Sequence, residues 1–229
     1  MNLLALDTST EFLSLALQVD GHVFTHHQRA GALASQLILP SINKLLSEAK
    51  VTLSDLHGIA FGAGPGAFTG VRVACGVAQG LAFGAQLPVV GINTLNAVAA
   101  SCNADKVIVC QDARMGEVYQ AAYQKSGNDW QEVSATTVCK PELVPAIAGK
   151  DWVGAGSGWA VYEEVLKQTY AQNISQVLSD IAPTAEAILK LAEPIFEAGL
   201  AKSANEAAPI YIRNRVALTT REREQGVRL

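Results

Sequence analysis

The chain opens on NLLALDTS, an apolar run that ends in Asp7, Thr8 and Ser9. That is the pattern of a buried strand closed by turn-forming side chains. FLSLALQV follows, then Asp20-Gly21, then HVFTHH. Asp-Gly between two such runs predicts a hairpin, because the tight turn needs positive φ. Residues 33–49 switch to a helical period, with apolar side chains at Leu33, Leu37, Ile42, Leu45, Leu46 and Ala49. Pro40 predicts a kink or a split there, since it removes an amide and crowds the preceding turn. HGIAFGAG reads as a short buried strand, TGVRVACGVAQGLAFGA as a helix and PVVGIN as a further strand. Asn93 or Thr94 is placed to cap a helix over LNAVAAS.

At Lys106 the order begins again. KVIVCQDARMGEVYQAAYQKSGNDWQEV reads as strand, acidic residue, strand, turn and strand, with Asp112 in the place that Asp7 holds in the first half. A strand DWVGAGS, a helix GWAVYEEVLKQTY and, after Pro183, a helix TAEAILKLAEPIFEAG follow. Few identities recur, but the order of elements does, and that order predicts a duplicated α/β protein. The expected division is a first lobe over 1–103, a second over 104–212 and a basic tail over 213–229, with the boundary near residues 101–105. The tail sets Arg213, Arg215, Arg221, Arg223 and Arg228 against Glu222 and Glu224. It reads either as a solvated terminus or as a segment that contacts an anionic partner such as RNA.

Composition narrows the class. Of 229 residues 49% are apolar and 17% charged, enough for a sizeable core and too little charge for a disordered chain. A net charge of −4 argues against a general nucleic-acid binder, though not against a local basic patch. No basic segment precedes the first apolar run, which Asp7 interrupts, so it does not read as a signal peptide. The stretch from Val71 to Ile92 carries Arg72, Gln79, Gln86 and Pro88 and makes a poor membrane span. Cys75, Cys102, Cys110 and Cys139 form no CxxC pair and read as reduced thiols. The expectation is a soluble cytoplasmic protein.

Residues 61–84, FGAGPGAFTGVRVACGVAQGLAFG, hold seven glycines in 24 positions. A phosphate loop of the Walker type needs a lysine, and none lies between Val51 and Asn103. Gly62-Ala-Gly64-Pro-Gly66-Ala67 imitates a dinucleotide fingerprint, but Pro65 lacks an amide donor and no acidic ribose ligand follows in GAQLPVVGINTLN. Gly62, Gly64 and Gly66 instead read as shaping the turn out of a strand. In the helical part Arg72, Gln79 and Gln86 share one seam and nearly everything else is apolar or small, which predicts burial on more than one side. Gly76, Gly80 and Gly84 recur every fourth residue. Each glycine inside a helix costs about 1 kcal/mol relative to alanine, so three imply a close neighbour. That neighbour is the protein's own sheet and helices, or another subunit.

Asp7-Thr8-Ser9-Thr10 at a strand end is compatible with a phosphate and Mg²⁺ loop and equally with an ordinary turn. GAGSG at 154–158 opens a helix and offers amides to an anion, or a tight turn with Ser157 as cap. It does not fit GxSxG. His26 and His27, adjacent in a strand, point to opposite faces and cannot chelate one ion together. With His22 and His57 they form no HxxxH or HExxH, so no zinc or iron site is indicated. No serine or cysteine stands in a local arrangement that marks a nucleophile.

LLALDTST, GAGPGAFTGVRVACGVAQGLA, DARMGEVY and PIYIRN together resemble the TsaB (YeaZ) family, whose members take part in making threonylcarbamoyladenosine in tRNA. The match covers essentially the whole chain, and GPGxFTGxR, from Gly64 to Arg72, is quite specific. The resemblance implies the actin-like/Hsp70-like/sugar-kinase ATPase fold, two related α/β lobes that are duplicated ribonuclease H-like domains. It implies a non-catalytic partner of TsaD, the paralogue that carries a metal-binding HxxxH motif; this chain lacks that motif. Pairing with TsaD through helices of the first lobe would place Leu37, Leu45, Arg72, Val73, Gly76, Val77, Gly80 and Phe83 at the partner interface. The same helices would support a homodimer of the isolated chain. With TsaE present, such an assembly transfers threonylcarbamoyl from threonylcarbamoyl-AMP to N6 of the adenosine beside the anticodon. A vestigial nucleotide cleft would fall at Asp7, Thr8, Ser9, Asp112, Gly154 and Gly156. No catalytic residue, metal ligand or cofactor is assigned to this chain, and ATP and metal are expected on the partner subunits. Two other readings stay open: an independent ATP-using enzyme working from Asp7 and the second-lobe loop, and a glycoprotease-like peptidase acting on TsaD.

Overall fold

The computed structural model describes residues 1–127 and 129–213. Strands β1 (Leu3–Asp7), β2 (Phe12–Val19), β3 (His22–Arg29), β4 (Gly58–Gly64) and β5 (Val89–Asn93) form one sheet in the order β3-β2-β1-β4-β5. Strands β6 (Lys106–Arg114), β7 (Glu117–Ser126), β8 (Asp129–Cys139), β9 (Trp152–Ala155) and β10 (Ile174–Leu178) form the other, in the order β10-β9-β6-β7-β8. Each sheet opens with a strand that becomes central, adds an antiparallel meander on one side and two parallel strands on the other. The two orders are therefore the same, and the chain has the duplicated α/β architecture that its repeated pattern predicts, with the ribonuclease H-like lobes that the resemblance implies. Asp20 and Gly21 take positive φ of 48° and 80° in the β2–β3 turn, as an Asp-Gly hairpin requires. The sequence pattern held no sign of β10, an edge strand whose side chains are all half-buried or exposed.

Alternation of side chains in β1 serves two helical layers at once. Leu4 and Leu6, with Leu13, Leu15 and Leu17 of β2, face helices α1 (Ala34–Ala49) and α2 (Phe68–Ala85), which fill the space with Ile38, Ile42, Leu45, Leu46, Ala74, Ala78 and Ala82. Leu3 and Ala5 face the opposite way, toward helices α3 (Thr94–Ser101) and α6 (Ala185–Glu197). Asn93 caps α3 by accepting from Leu95 N at 2.9 Å. The far side of α3, through Leu95, Val98 and Ala99, packs on Val107, Val109, Ala121 and Tyr123 of the second sheet, so one helix serves both lobes. Helices α4 (Gly158–Val161) and α5 (Glu163–Thr169) cover the other face of that sheet through Trp159 and Leu166.

Three expectations change. Pro40 does not split α1, which runs through it; the carbonyl it leaves without an amide belongs to Gln36, an exposed residue whose carbonyl water can satisfy. The helix expected over 158–170 is two short ones, interrupted at Tyr162 with φ −123° and ψ 38°. The division at 104–212 also shifts, because α6 and the segment through Lys202 return to the first lobe. Ala185, Ile188, Leu189, Ala192 and Phe196 complete the core beneath β1, and Lys202 and Val89 exchange backbone hydrogen bonds of 2.7 and 2.9 Å.

Candidate functional site

The Asp7 turn is folded inward. Asp7, Thr8 and Ser9 are all buried. Ser9 donates to Asp7 Oδ1 from its amide at 3.0 Å and its hydroxyl at 2.9 Å, while Thr8 Oγ1 donates to the Gly70 carbonyl at 2.6 Å. Asp7 Oδ2 is buried and has no partner among the described residues. Burial pushes the carboxyl up to about 6, against the lowering effect of the two Ser9 hydrogen bonds. A Mg²⁺-nucleotide site needs a reachable carboxylate and free donors facing phosphate. Here the carboxylate is enclosed and the hydroxyls are bonded to protein, so these residues do not fit a nucleotide.

Asp112 repeats the turn in the second lobe, with Arg114 N donating to Asp112 Oδ1 at 2.9 Å as Ser9 N does to Asp7. Its other oxygen pairs with Arg114 at 3.1 Å. Gly154 and Gly156 are buried, and their missing side chains leave room for protein. A Cβ at Gly154 would overlap the Trp159 indole, and one at Gly156 would lie 2.7 Å from the Cys110 carbonyl oxygen. Ser157 does not cap α4; its hydroxyl donates to Gln111 Oε1 at 2.7 Å. The Asp7 and Asp112 groups are each assembled within their own lobe. No hydrogen bond or ion pair joins them among the described residues.

The glycines of residues 61–84 separate by what surrounds them. A Cβ at Gly62 would overlap Asp7 Oδ2, one at Gly66 would lie 2.5 Å from the Ser9 carbonyl oxygen, and one at Gly70 would overlap the Thr8 carbonyl. These three let the β4–α2 connection press directly on the Asp7 turn. Gly76, Gly80 and Gly84 are the opposite case, with nothing within 4 Å of an added Cβ. The expected burial of α2 on more than one side is not found. Phe68, Arg72, Gly76, Gly80, Phe83 and Gly84 make an open stripe, and Phe83 is 73% exposed. Gln79, placed on the polar seam by the sequence pattern, instead donates to the Ala204 carbonyl at 3.2 Å.

Leu33 and Leu39 of the neighbouring α1 region are also exposed, at 53% and 47%. Leu37, Val73 and Val77 are half-buried at the edge of the core. Leu45 is not part of this face: it is 3% exposed and belongs to the core between α1 and the sheet. Arg72 is fixed in place. Its guanidinium lies 3.6 Å from the centroid of the Phe68 ring, and its Nε donates to the Tyr211 hydroxyl at 2.8 Å.

Tyr211 lies on a strap that joins the lobes. Ile210 N donates to the Ala63 carbonyl at 2.7 Å beside the glycine loop. Three residues on, Arg213 Nη2 donates to the Ala113 carbonyl at 3.1 Å and to Glu117 at 2.5 Å, in the β6–β7 hairpin. Arg213, expected in a basic tail, is thus anchored in the second lobe. Arg215, Arg221, Arg223 and Arg228 lie outside the described residues.

Among the described residues no group of three His, Cys, Asp or Glu side chains could hold a metal ion, and no helix is long and apolar enough to cross a membrane. Ser41 Oγ lies 3.4 Å from His26 Nε2, but no carboxylate among the described residues orients that imidazole. Burial raises the pKa of all four thiols, that of Cys102 to about 11, which leaves them poor nucleophiles.

Residues 28–220 match the family model described as TsaD: tRNA N6-adenosine threonylcarbamoyltransferase. The tRNA threonylcarbamoyladenosine biosynthesis protein TsaB of Escherichia coli is 39% identical, over 95% of this chain and 96% of that protein. Its Haemophilus influenzae counterpart is also 39% identical, over 94% and 95%. Among solved structures, YeaZ from Pseudomonas aeruginosa superimposes with a TM-score of 0.86 at 40% identity, covering 92% of this chain and 99% of that one. A second structure, at TM-score 0.86 and 41% identity, covers 93% and 99% and is described as having similarity to peptidase YEAZ from that organism.

Proposed function

The chain belongs to the TsaB (YeaZ) family, and from that premise we propose that it is a non-catalytic subunit of the assembly that forms threonylcarbamoyladenosine in tRNA. It pairs with a TsaD subunit through the outer face of α1 and α2. TsaE completes the assembly, which transfers threonylcarbamoyl from threonylcarbamoyl-AMP to N6 of the adenosine beside the anticodon. This chain brings no cofactor of its own, and ATP and metal act on the partner subunits. One observation carries the reading: the stripe of Gly76, Gly80 and Gly84 meets nothing among the described residues, yet shares its face of α2 with exposed Phe68 and Phe83. Small residues that let a second helix approach closely, bordered by apolar side chains left in water, are the anatomy of a helix-docking surface. The inward-folded Asp7 turn favours this over an independent ATP-using enzyme, and the raised thiol pKa values favour it over a cysteine peptidase.

The test is reconstitution with TsaD, TsaE, tRNA and threonylcarbamoyl-AMP. Gly76→Leu and Gly80→Leu should each abolish co-elution with TsaD on size exclusion and lower tRNA modification at least tenfold, while leaving the far-ultraviolet circular dichroism of the lone chain unchanged. Undiminished modification when this chain is left out would defeat the reading.

A further inference from the structure

The charge on α2 is singular. Its eighteen residues, FTGVRVACGVAQGLAFGA, contain one ionised side chain, Arg72, and no acidic residue in the first turn. Stacking on Phe68 at 3.6 Å and the bond from Nε to Tyr211 hold the guanidinium plane in one orientation at the end of the open stripe. Those contacts use the face of the group and its Nε. Neither Nη atom has a hydrogen-bond or ion-pair partner among the described residues, so the two-pronged edge of the group is left to the outside. Such a fork, already immobilised, matches the two oxygens of a carboxylate, and its ordering cost is met before binding.

Resting on the docking role proposed above, we infer that Arg72 is the specificity residue of this face: it receives a carboxylate from the docking helix of the TsaD partner and disfavours a second copy of this chain. A carboxylate at that spot gains a charge-assisted pair with Arg72. Among the described residues, the acidic side chains near this face are already paired. α2 has no acidic residue, and Glu48, the one in α1, lies 3.8 Å from Lys44. Glu11, beside the start of α1, is paired with Arg29 at 3.2 Å. Self-association through α1 and α2 therefore neutralises Arg72 only by breaking one of these surface pairs and otherwise covers it unpaired, a penalty that selects against the wrong partner.

The experiment compares hetero-pairing and self-association of the full chain by titration calorimetry and analytical ultracentrifugation, using TsaD of the same organism as the probe. Arg72→Gln should weaken TsaD binding by roughly ten- to a hundredfold and leave self-association unchanged or stronger. Arg72→Lys keeps the charge but not the stacked fork, and should recover less than half of that loss on a logarithmic scale. Tyr211→Phe, which removes only the hydroxyl that orients Nε, should weaken TsaD binding a few-fold. Raising the salt concentration should narrow the gap between Arg72 and its Gln variant. Unchanged TsaD binding by Arg72→Gln, with Gly76→Leu still blocking it, would overturn the inference and leave the docking role standing. Equal weakening of both kinds of pairing would overturn the selectivity. If Gly76→Leu also binds normally, the docking role itself fails.

Discussion

Asp7 shows how a residue chosen by type can be set aside by its surroundings. An acidic residue at the end of the first strand invites a metal, yet Asp7 is buried with one oxygen on Ser9 and the other unpartnered. Its pKa rises from 3.8 to about 6, chiefly because burial penalises the charged form. The ionised carboxylate is thus disfavoured by folding, which fixes the sign of the pH dependence. The stability this group contributes is full below about pH 4, falls as pH rises through 6 and stays low above it. A shift of about two units corresponds to about 3 kcal/mol. Asp7→Asn keeps an acceptor for Ser9 and removes the titration. Urea denaturation should therefore show the variant gaining about 3 kcal/mol on the parent between pH 4 and pH 7.5, whatever its offset at the acid end. A difference that stays constant across that range would mean that ionising Asp7 carries no such penalty.

Within α2 the same residue type does two opposite jobs. Gly70 sits in the first turn against the Thr8 carbonyl, where a Cβ cannot fit, while Gly76 faces open space six residues later. In the lone chain Gly70→Ala should cost about 2–3 kcal/mol through overpacking against backbone. Gly76→Ala should raise stability by about 0.5–1 kcal/mol, since alanine is the better helix former and meets nothing there. Chemical denaturation of the two variants side by side checks both signs. If both destabilise, the stripe is covered in the lone chain. The sequence separated the turn glycines Gly62, Gly64 and Gly66 from Gly76, Gly80 and Gly84 but not Gly70 from the exposed set, because a helical wheel treats a small exposed residue and a small buried one alike. Pro40 is a similar case, since its cost inside α1 depends on whether the freed carbonyl meets water or core.

Across the whole molecule the two lobes are held together by the two faces of α3 and by the strap that ends in Arg213. The Arg213 side chain is 14% exposed and binds the Ala113 carbonyl and Glu117 together, whereas most other ion pairs are on the surface and contribute little. Arg213→Ala should lower stability by about 1–3 kcal/mol and raise amide exchange selectively in the β6–β7 hairpin. Uniform loss of protection over both sheets would show that the strap acts on global folding rather than on lobe attachment. Since Tyr211 holds Arg72 and Arg213 holds that hairpin, the strap also ties the proposed docking face and the second lobe to one short segment.

What the sequence determined by itself was short in range: the alternation of β1 and β2, the Asp-Gly turn at 20–21, the helical period of 34–49 and the recurrence of strand, acidic turn and strand from Lys106. These arise from local φ/ψ limits and side-chain spacing, which need no distant partner. The recurrence of Gly76, Gly80 and Gly84 was also legible, while Arg72 and Phe83 joined them as one candidate face only through the family resemblance. Tertiary structure alone decided that this side is the open one, that Leu45 belongs to the core and that Asp7 is sealed. It alone decided that α6, which begins at Ala185, returns to the sheet whose last strand ends at Asn93. Each of those outcomes depends on which remote segment comes to lie against a residue, and burial, pKa and access are set by that neighbour rather than by the residue.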